Sequence, residues 1–259
     1  MDRDQIGDRM KEYESAGQTR LIRRLPVLVR VDGRAFHTLT RGMDKPVDLR
    51  FQRCMWATAR VLCRAAQGAR LAYVQSDEIS VLLYEQDAVH SDGWFGYDRD
   101  KVVSTSAAVA TAASLVHFVA NFPKTAVLAE SAPTFDARAA NYPPHEVANY
   151  LIWRQQDATR NSVAGLAQSH FSAKRLHGLR SAEMQDLLHA EKGVNWNDCP
   201  TTQKRGACVV REIYAVRAGE VINGHVVTED HERSRWVVDE QIPIFTQDRD
   251  YVEKHLVMR

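Results

Sequence analysis

Two acidic residues carry the first chemical signal in this sequence. Asp32 closes the run Arg24 to Val31 (RLPVLVRV), which is apolar and β-branched and reads as a buried strand stopping at Asp32-Gly33. Asp77 lies in Gln75-Ser76-Asp77-Glu78, the polar tip expected between two strand-like runs, Arg70 to Val74 and Ile79 to Tyr84. Singly, each is also an ordinary turn signal. With the hairpin packed beside the first strand, however, both carboxylates reach one rim of one sheet. Carboxylates about 4–6 Å apart repel, and a hard divalent cation relieves the repulsion. Mg²⁺ uses few protein carboxylates and fills its shell with substrate phosphates, so the pair points to phosphoryl or nucleotidyl transfer. Gly33 adds a backbone carbonyl as a third ligand.

Cations form a second group. Arg20, Arg23, Arg24, Arg30 and Arg34 surround the first strand, and Lys45, Lys101, Lys204 and Arg205 follow. Arg forks and Lys point charges near a carboxylate site suit a triphosphate, although most scattered cations serve only as a solvated face. Lys204 and Arg205, adjacent before a strand, are expected to contact RNA phosphates. His37 is placed to stack on or bond a base. Tyr150 and Trp153 are expected in the core, and Trp196-Asn197-Asp198 as a capped loop. There is no Walker A pattern, which removes P-loop chemistry on motif grounds, and no H-E-x-x-H or G-x-S-x-G, which weighs against zinc-protease and esterase chemistry.

The elements that must position these groups follow from periodicity. Asp48 is a plausible N-cap for a helix in which Phe51, Met55, Ala59, Leu62 and Ala66 form one apolar face, with Gly68 as its stop. A second helix is expected over Lys101 to Phe118, its small residues allowing close packing on a sheet. Strand, helix, hairpin, helix is the order of a split βαβ sheet with helices on one face. Further helices are expected from Glu146 to Phe171 and from Ser181 (N-cap) to Glu191, with Gly193 as the stop. Strand-like runs then cover Ala207 to Val216 and Arg235 to Asp239, with a hairpin turn at Asn223-Gly224. The fold class expected is α+β: a palm-like antiparallel sheet, a helical insertion and a small C-terminal β region. We expect a single catalytic unit over 1–259, with a core at 24–145 and an extension at 146–259.

Composition bounds the partners. The 259 residues are 44% hydrophobic and 26% charged, values of a globular chain. Lys plus Arg (34) exceeds Asp plus Glu (33) by one, so any nucleic acid must be held by a local patch. The cysteines (Cys54, Cys63, Cys199, Cys208) show neither C-x-x-C nor zinc spacing, and reduced cytoplasmic thiols are expected. The charged N-terminus shows no signal peptide, and Ser106 to Phe122 reads as a packed helix rather than a bilayer span; no membrane partner is expected.

The segments VRVDGRAFH (Arg30 to His37), KPVD (Lys45 to Asp48), YVQSDEIS (Tyr73 to Ser80) and YLIWRQQDATRNS (Tyr150 to Ser162) occur in this order. Together they resemble the tRNA-His guanylyltransferase superfamily, from about Arg24 to Val210. The resemblance implies a polymerase-palm-like catalytic domain and two Mg²⁺ ions. It also implies ATP, GTP and other NTPs as substrates, nucleotide addition to the 5′ end of tRNA in the 3′-to-5′ direction, and a tetramer. It implies that Asp32 and Asp77 are the catalytic, metal-binding carboxylates, with Gly33 as the backbone ligand. Arg30, Arg34, Ala35, Phe36, His37, Lys45, Asp48, Ser76, Glu78 and Lys101 are implied around the nucleotide, and Arg160 and Asn161 beside RNA. Members that add a single G to tRNA-His carry His-Ile-Asn-Asn after the Trp-Arg-Gln run; here the place reads Thr159-Arg160-Asn161-Ser162, and Val47 replaces an Asn. The sequence thus resembles the branch that repairs 5′-truncated tRNA by templated addition. Single-G addition, a palm-type cyclase and a non-catalytic RNA binder remain the alternatives.

Overall fold

The computed structural model describes residues 3–85, 92–122, 132–222, 225–226 and 228–257. After α1 (Arg3–Ser15), the β-branched run forms β1 (Val27–Gly33). A short α2 (Phe36–Leu39) leads to α3 (Leu49–Ala65), and the hairpin follows as β2 (Ala69–Gln75) and β3 (Glu78–Leu83). Next come α4 (Arg99–Asn121), β4 (Phe135–Asn141) and the long α5 (Pro144–His170). The remainder is α6 (Ala173–Leu176), α7 (Ser181–Lys192), α8 (Thr201–Arg205), β5 (Ala207–Val216), β6 (Val221–Ile222), β7 (His225–Val226), β8 (His231–Asp239) and α9 (Asp250–Glu253).

Six strands form one antiparallel sheet in the order β4-β1-β3-β2-β5-β8. Its first four strands with α3 and α4 are the split βαβ arrangement expected. Alternation along each strand decides the two faces. Val27, Val29, Val31, Val74, Ile79 and Val81 pack with Met55, Ala59 and Leu62 of α3 and Val102 and Ala110 of α4. Leu28, Leu71, Tyr73 and Leu82 point the other way, against Val147, Leu151 and Ala158 of α5 and the C-terminal Ile242 and Phe245. Helices therefore cover both faces: α3 and α4 one, α5 part of the other. The C-terminal strands do not stand apart, because β5 pairs with β2 and extends the same sheet. Strand β4 has no counterpart in the sequence reading, since FDARAAN buries only Phe135 and Ala139.

Several boundaries follow local chemistry. Arg180, not Ser181, is the N-cap of α7, because the Glu183 carboxylate accepts the Arg180 backbone N–H at 2.7 Å. Gly193 ends that helix at φ 65°, as expected. The Asn223-Gly224 turn lies outside the described residues; β6 and β7 on either side pair antiparallel. By length and composition α4 could cross a membrane, and here it buries Val102, Ala110, Ala113 and Phe118 against the protein. All four cysteines are free, and burial pushes the thiols of Cys54 up to about 11 and Cys63 up to about 12.

Asp48 caps α3 as expected, accepting the Arg50 N–H at 2.9 Å. Its carboxylate also takes the Arg50 guanidinium at 2.6 and 3.1 Å, which holds its pKa at about 2, below the ordinary 3.8. A depressed carboxylate stabilises the fold fully above its unfolded pKa and loses that contribution as pH falls through the folded value. Asp48→Ala should therefore cost about 1–2 kcal/mol in urea unfolding at neutral pH. The difference from wild type should shrink as pH falls from about 4 towards 2.

Candidate active site

The antiparallel register of β1 and β3 sets Asp32 directly opposite Glu78. One residue further, the Gly33 N–H donates to the Asp77 carbonyl at 3.1 Å, fastening the end of β1 to the hairpin tip. Ser76 turns that tip at φ 47°, a left-handed conformation costing an L-residue about 1–2 kcal/mol. Burial pushes the Asp77 carboxyl above the ordinary carboxylate range, and the negative charges of Asp32 and Glu78 push the same way. The Ser76 hydroxyl and the Asp77 backbone N–H oppose them. The expected convergence of Asp32 and Asp77 on one rim is thus present.

Gly33 is required by packing. A Cβ there would lie 2.4 Å from the Phe36 ring, whose centroid is 5.1 Å from that of Phe135 and 5.8 Å from that of Phe51. Phe36 is therefore the buried floor under the β1–α2 turn, with Ala35 at φ 55° and Arg34 and His37 exposed above it. Two carboxylates and a nearby carbonyl are a hard oxygen donor set. Among the described residues no cluster of three or more His, Cys, Asp or Glu side chains exists, so further donors at this rim would come from substrate. The fit to a divalent cation rests on those donors and on the unrelieved repulsion at Asp77.

Glu78 is committed elsewhere. Its carboxylate takes a two-pronged bond from Arg154 of α5, at 2.7 and 2.6 Å, with both side chains under one tenth exposed. Gln75 donates to it at 3.2 Å, and Arg154 also reaches Asp157 at 2.9 Å. Nothing in the sequence reading singled out Arg154 or Asp157; their three-residue spacing on a helix was the available signal.

Beside the tip opens a cavity of about 290 Å³. Lys45, Asp48, Ser76 and Asn161 line it with apolar Met43, Phe51 and Trp56, so three distant segments converge, and Asn161, expected beside RNA with Arg160, borders this cavity instead. Gly206 closes one wall at φ 81°, where a Cβ would stand 2.3 Å from the Val74 carbonyl. Arg160, Lys204 and Arg205 line a separate cleft of about 490 Å³ with Trp196 and Asn197. There Lys204 donates to the Asn197 carbonyl at 2.5 Å and Arg160 pairs with Asp157 at 2.9 Å.

Other expectations are not met within one chain. Lys101 starts α4, where Val102 meets Leu21, Val27 and Tyr97, at the end of the sheet where β1 begins. That end is about 16 Å along the strand from Asp32. Arg20, Arg23 and Arg24 lie at the same far end, the Leu21 N–H donating to the Tyr97 carbonyl. Trp153 is 48% exposed rather than core, its ring 4.5 Å from the Arg154 guanidinium, because it follows Tyr150 by three residues onto the helix flank. Trp196-Asn197-Asp198 forms the expected capped turn, with the Asn195 side chain accepting the Asn197 N–H.

Removing one partner of a buried pair leaves an uncompensated charge. Arg154→Met should destabilise the protein by about 3–5 kcal/mol in denaturant unfolding. Adding Glu78→Gln to it should recover part of that loss, a non-additivity readable as a double-mutant cycle.

A family model described as Thg1, tRNAHis guanylyltransferase, matches residues 7–143. The tRNA(His) guanylyltransferase of Schizosaccharomyces pombe is 34% identical over 223 residues, 78% of this chain and 79% of its own. That of Saccharomyces cerevisiae is 27% identical over 218 residues, covering 78% and 87%. A solved bacterial tRNA(His) guanylyltransferase (Thg1)-like protein in complex with ATP is 42% identical, with a TM-score of 0.86 over 98% of this chain and 100% of that one. A second such bacterial protein, in complex with GTP, is 38% identical at a TM-score of 0.77 over the same shares.

Proposed function

The chain belongs to the tRNA(His) guanylyltransferase family and is a nucleotidyltransferase of tRNA processing, and from that premise we propose that it repairs 5′-truncated tRNA. In this reading it adds nucleotides in the 3′-to-5′ direction, each chosen by pairing with the opposite strand. The observation that carries the reading is the cavity beside the Asp77 tip. Its apolar wall (Met43, Phe51, Trp56) suits a base, and Lys45 and Ser76 at its edge suit phosphates. The relatives solved with ATP and GTP support a nucleotide there. Thr159-Arg160-Asn161-Ser162, in the place of His-Ile-Asn-Asn, favours templated repair over addition of one G.

A tRNA 5′-monophosphate is a poor electrophile. Its oxygen first displaces pyrophosphate from ATP, and the 3′-hydroxyl of the incoming nucleotide then attacks the 5′ phosphorus and releases AMP. Asp32, Asp77 and the Gly33 carbonyl would hold Mg²⁺, two ions in this reading, which supplies charge neutralisation for the triphosphate and acidifies the attacking hydroxyl. Lys45 and Ser76 orient the triphosphate, and Asn161 borders the base. Arg160, Lys204 and Arg205 give the RNA backbone a cationic cleft. No side-chain nucleophile is needed, which agrees with the absence of any such motif.

The test offers a tRNA lacking its first nucleotide, as the 5′-monophosphate, with Mg²⁺, ATP and all four NTPs. Growth by the paired nucleotide is expected, with a loss of about 10²-fold or more in Asp32→Ala and Asp77→Asn. Addition of only an unpaired G to tRNA-His would instead favour the guanylyltransferase reading, which the names of the curated relatives support. Binding without addition would leave an RNA-binding protein. In the same system the Lys204→Ala/Arg205→Ala double variant should show a salt dependence of tRNA binding shallower by about one to two units. An unchanged slope would remove both residues from the RNA contact.

A further inference from the structure

Helix α5 covers only part of its face of the sheet. On β4 the side chains that point to that face, Asp136, Arg138 and Ala140, are exposed, while Phe135 and Ala139 point to α4 and are buried. On that face the β4 edge is therefore an open floor, bordered by β1, where Leu28 lies buried under α5, Arg30 is 16% exposed and Asp32 stands at one end opposite Asp136.

Two features of this floor call for an anion. Arg30 and Arg138 are direct cross-strand partners, and like charges so placed repel. Neither is well neutralised: the Arg30 Nε is 4.0 Å from the nearest Glu78 oxygen, and Arg138 meets Asp136 only at 3.5 Å with 60% of its side chain exposed. The Arg30 Nε is also buried without any acceptor, an arrangement that costs free energy until one arrives.

A third feature calls for a flat ring. Trp153 stands on the flank of α5 beside this floor, nearly half exposed. Tyr150 meets it edge-on at 5.6 Å, and Arg154, anchored on Glu78, lies against it. The ring is thus presented rigidly, within one side chain of the residue opposite Asp32, with nothing from the described residues stacked on its outer side.

We infer that this open β4 edge seats the 5′ end of the RNA substrate, Trp153 stacking on a base at that end and Arg138, with Arg30 at its border, contacting a backbone phosphate. The inference rests on the tRNA reading above and adds to it a binding surface distinct from the nucleotide cavity and from the Lys204–Arg205 cleft. A stacked base and an anchored phosphate would bring the reacting 5′ phosphorus to the Asp32 rim. Stacking is indifferent to base identity, as templated addition to different tRNAs requires.

The test measures tRNA binding and single-turnover addition, on the truncated 5′-monophosphate tRNA, for Trp153→Phe, Trp153→Leu and Arg138→Ala. Trp153→Leu should weaken tRNA affinity roughly 5- to 100-fold, with Trp153→Phe close to wild type and the KM for the NTP unchanged in both. Arg138→Ala should reduce the salt slope of binding by about one unit. Leu and Phe variants alike at wild-type affinity would overturn the inference. So would a fall in assembly mass on ultracentrifugation accompanying the loss in Trp153→Leu, which would make the ring a contact between copies of the chain. Wild-type protein that binds tRNA but adds nothing would instead defeat the polymerase reading, and the affinity ratios among variants would still decide this one.

Discussion

The site depends on one unfavourable fact: two carboxylates of adjacent strand ends stand at one rim, partly out of water. Coulomb repulsion and burial both work against the ionised pair, as the raised pKa of Asp77 records. What holds them there is backbone. The β1–β3 ladder fixes Asp32 opposite Glu78, and the Gly33 N–H closes the last rung onto the Asp77 carbonyl. Because the pairing has period two, a one-residue slip would turn Asp32 to the α3–α4 face and Val31 out of the core. The apolar alternation of Val27, Val29 and Val31 therefore specifies the site as firmly as it specifies the core.

Glu78 adds to the repulsion felt by Asp77, and its own carboxylate is bound on both oxygens by Arg154. The guanidinium meets both carboxylate oxygens in the fork geometry that lysine lacks. The same contact fastens α5 to the hairpin, so the helix that borders the cavity through Asn161 cannot shift without disturbing the residue next to Asp77. A buried ion pair is a poor source of net stability. Here it links the position of a helix to the position of the Asp32–Asp77 rim.

The core of the fold was legible because its signals are local and periodic. β1, the hairpin, α3 with its Asp48 cap, and α5 each announce themselves by spacing or by a cap. Strand β4 did not, since an edge strand with two buried residues has no apolar alternation to read. At the rim, Asp32, Gly33 and Asp77 were legible as turn residues at strand ends, and Lys45 and Ser76 were read through resemblance, whereas Asn161 was read as an RNA contact and lines the cavity. Lys101, read through resemblance as a nucleotide contact, stands within this chain at the other end of the sheet, since a sequence shows charge but not which end a helix begins from. Trp153 misled because aromatic residues near helical spacing usually face the core, and only the position of β4 shows that no core exists on that flank. Arg154 was invisible for the converse reason: a buried arginine is identified by its partner, and Glu78 lies 76 residues away.

The distribution of charge bears on how such an enzyme can hold a polyanion. The chain's net charge is only +1, so its overall field cannot hold a polyanion. Its cations are instead divided among small sites: the cavity edge at Lys45, the cleft at Arg160, Lys204 and Arg205, and the β4 edge at Arg30 and Arg138. Amides stand among these cations as well, Asn161 in the cavity and Gln156 and Asn197 in the cleft, while the Asp48 carboxylate in the cavity is already bonded to Arg50. Phosphate contacts position a nucleic acid and carry no sequence information. In the proposed repair reaction such phosphate contacts would position the 5′ end, and the choice of nucleotide would fall to the opposite strand.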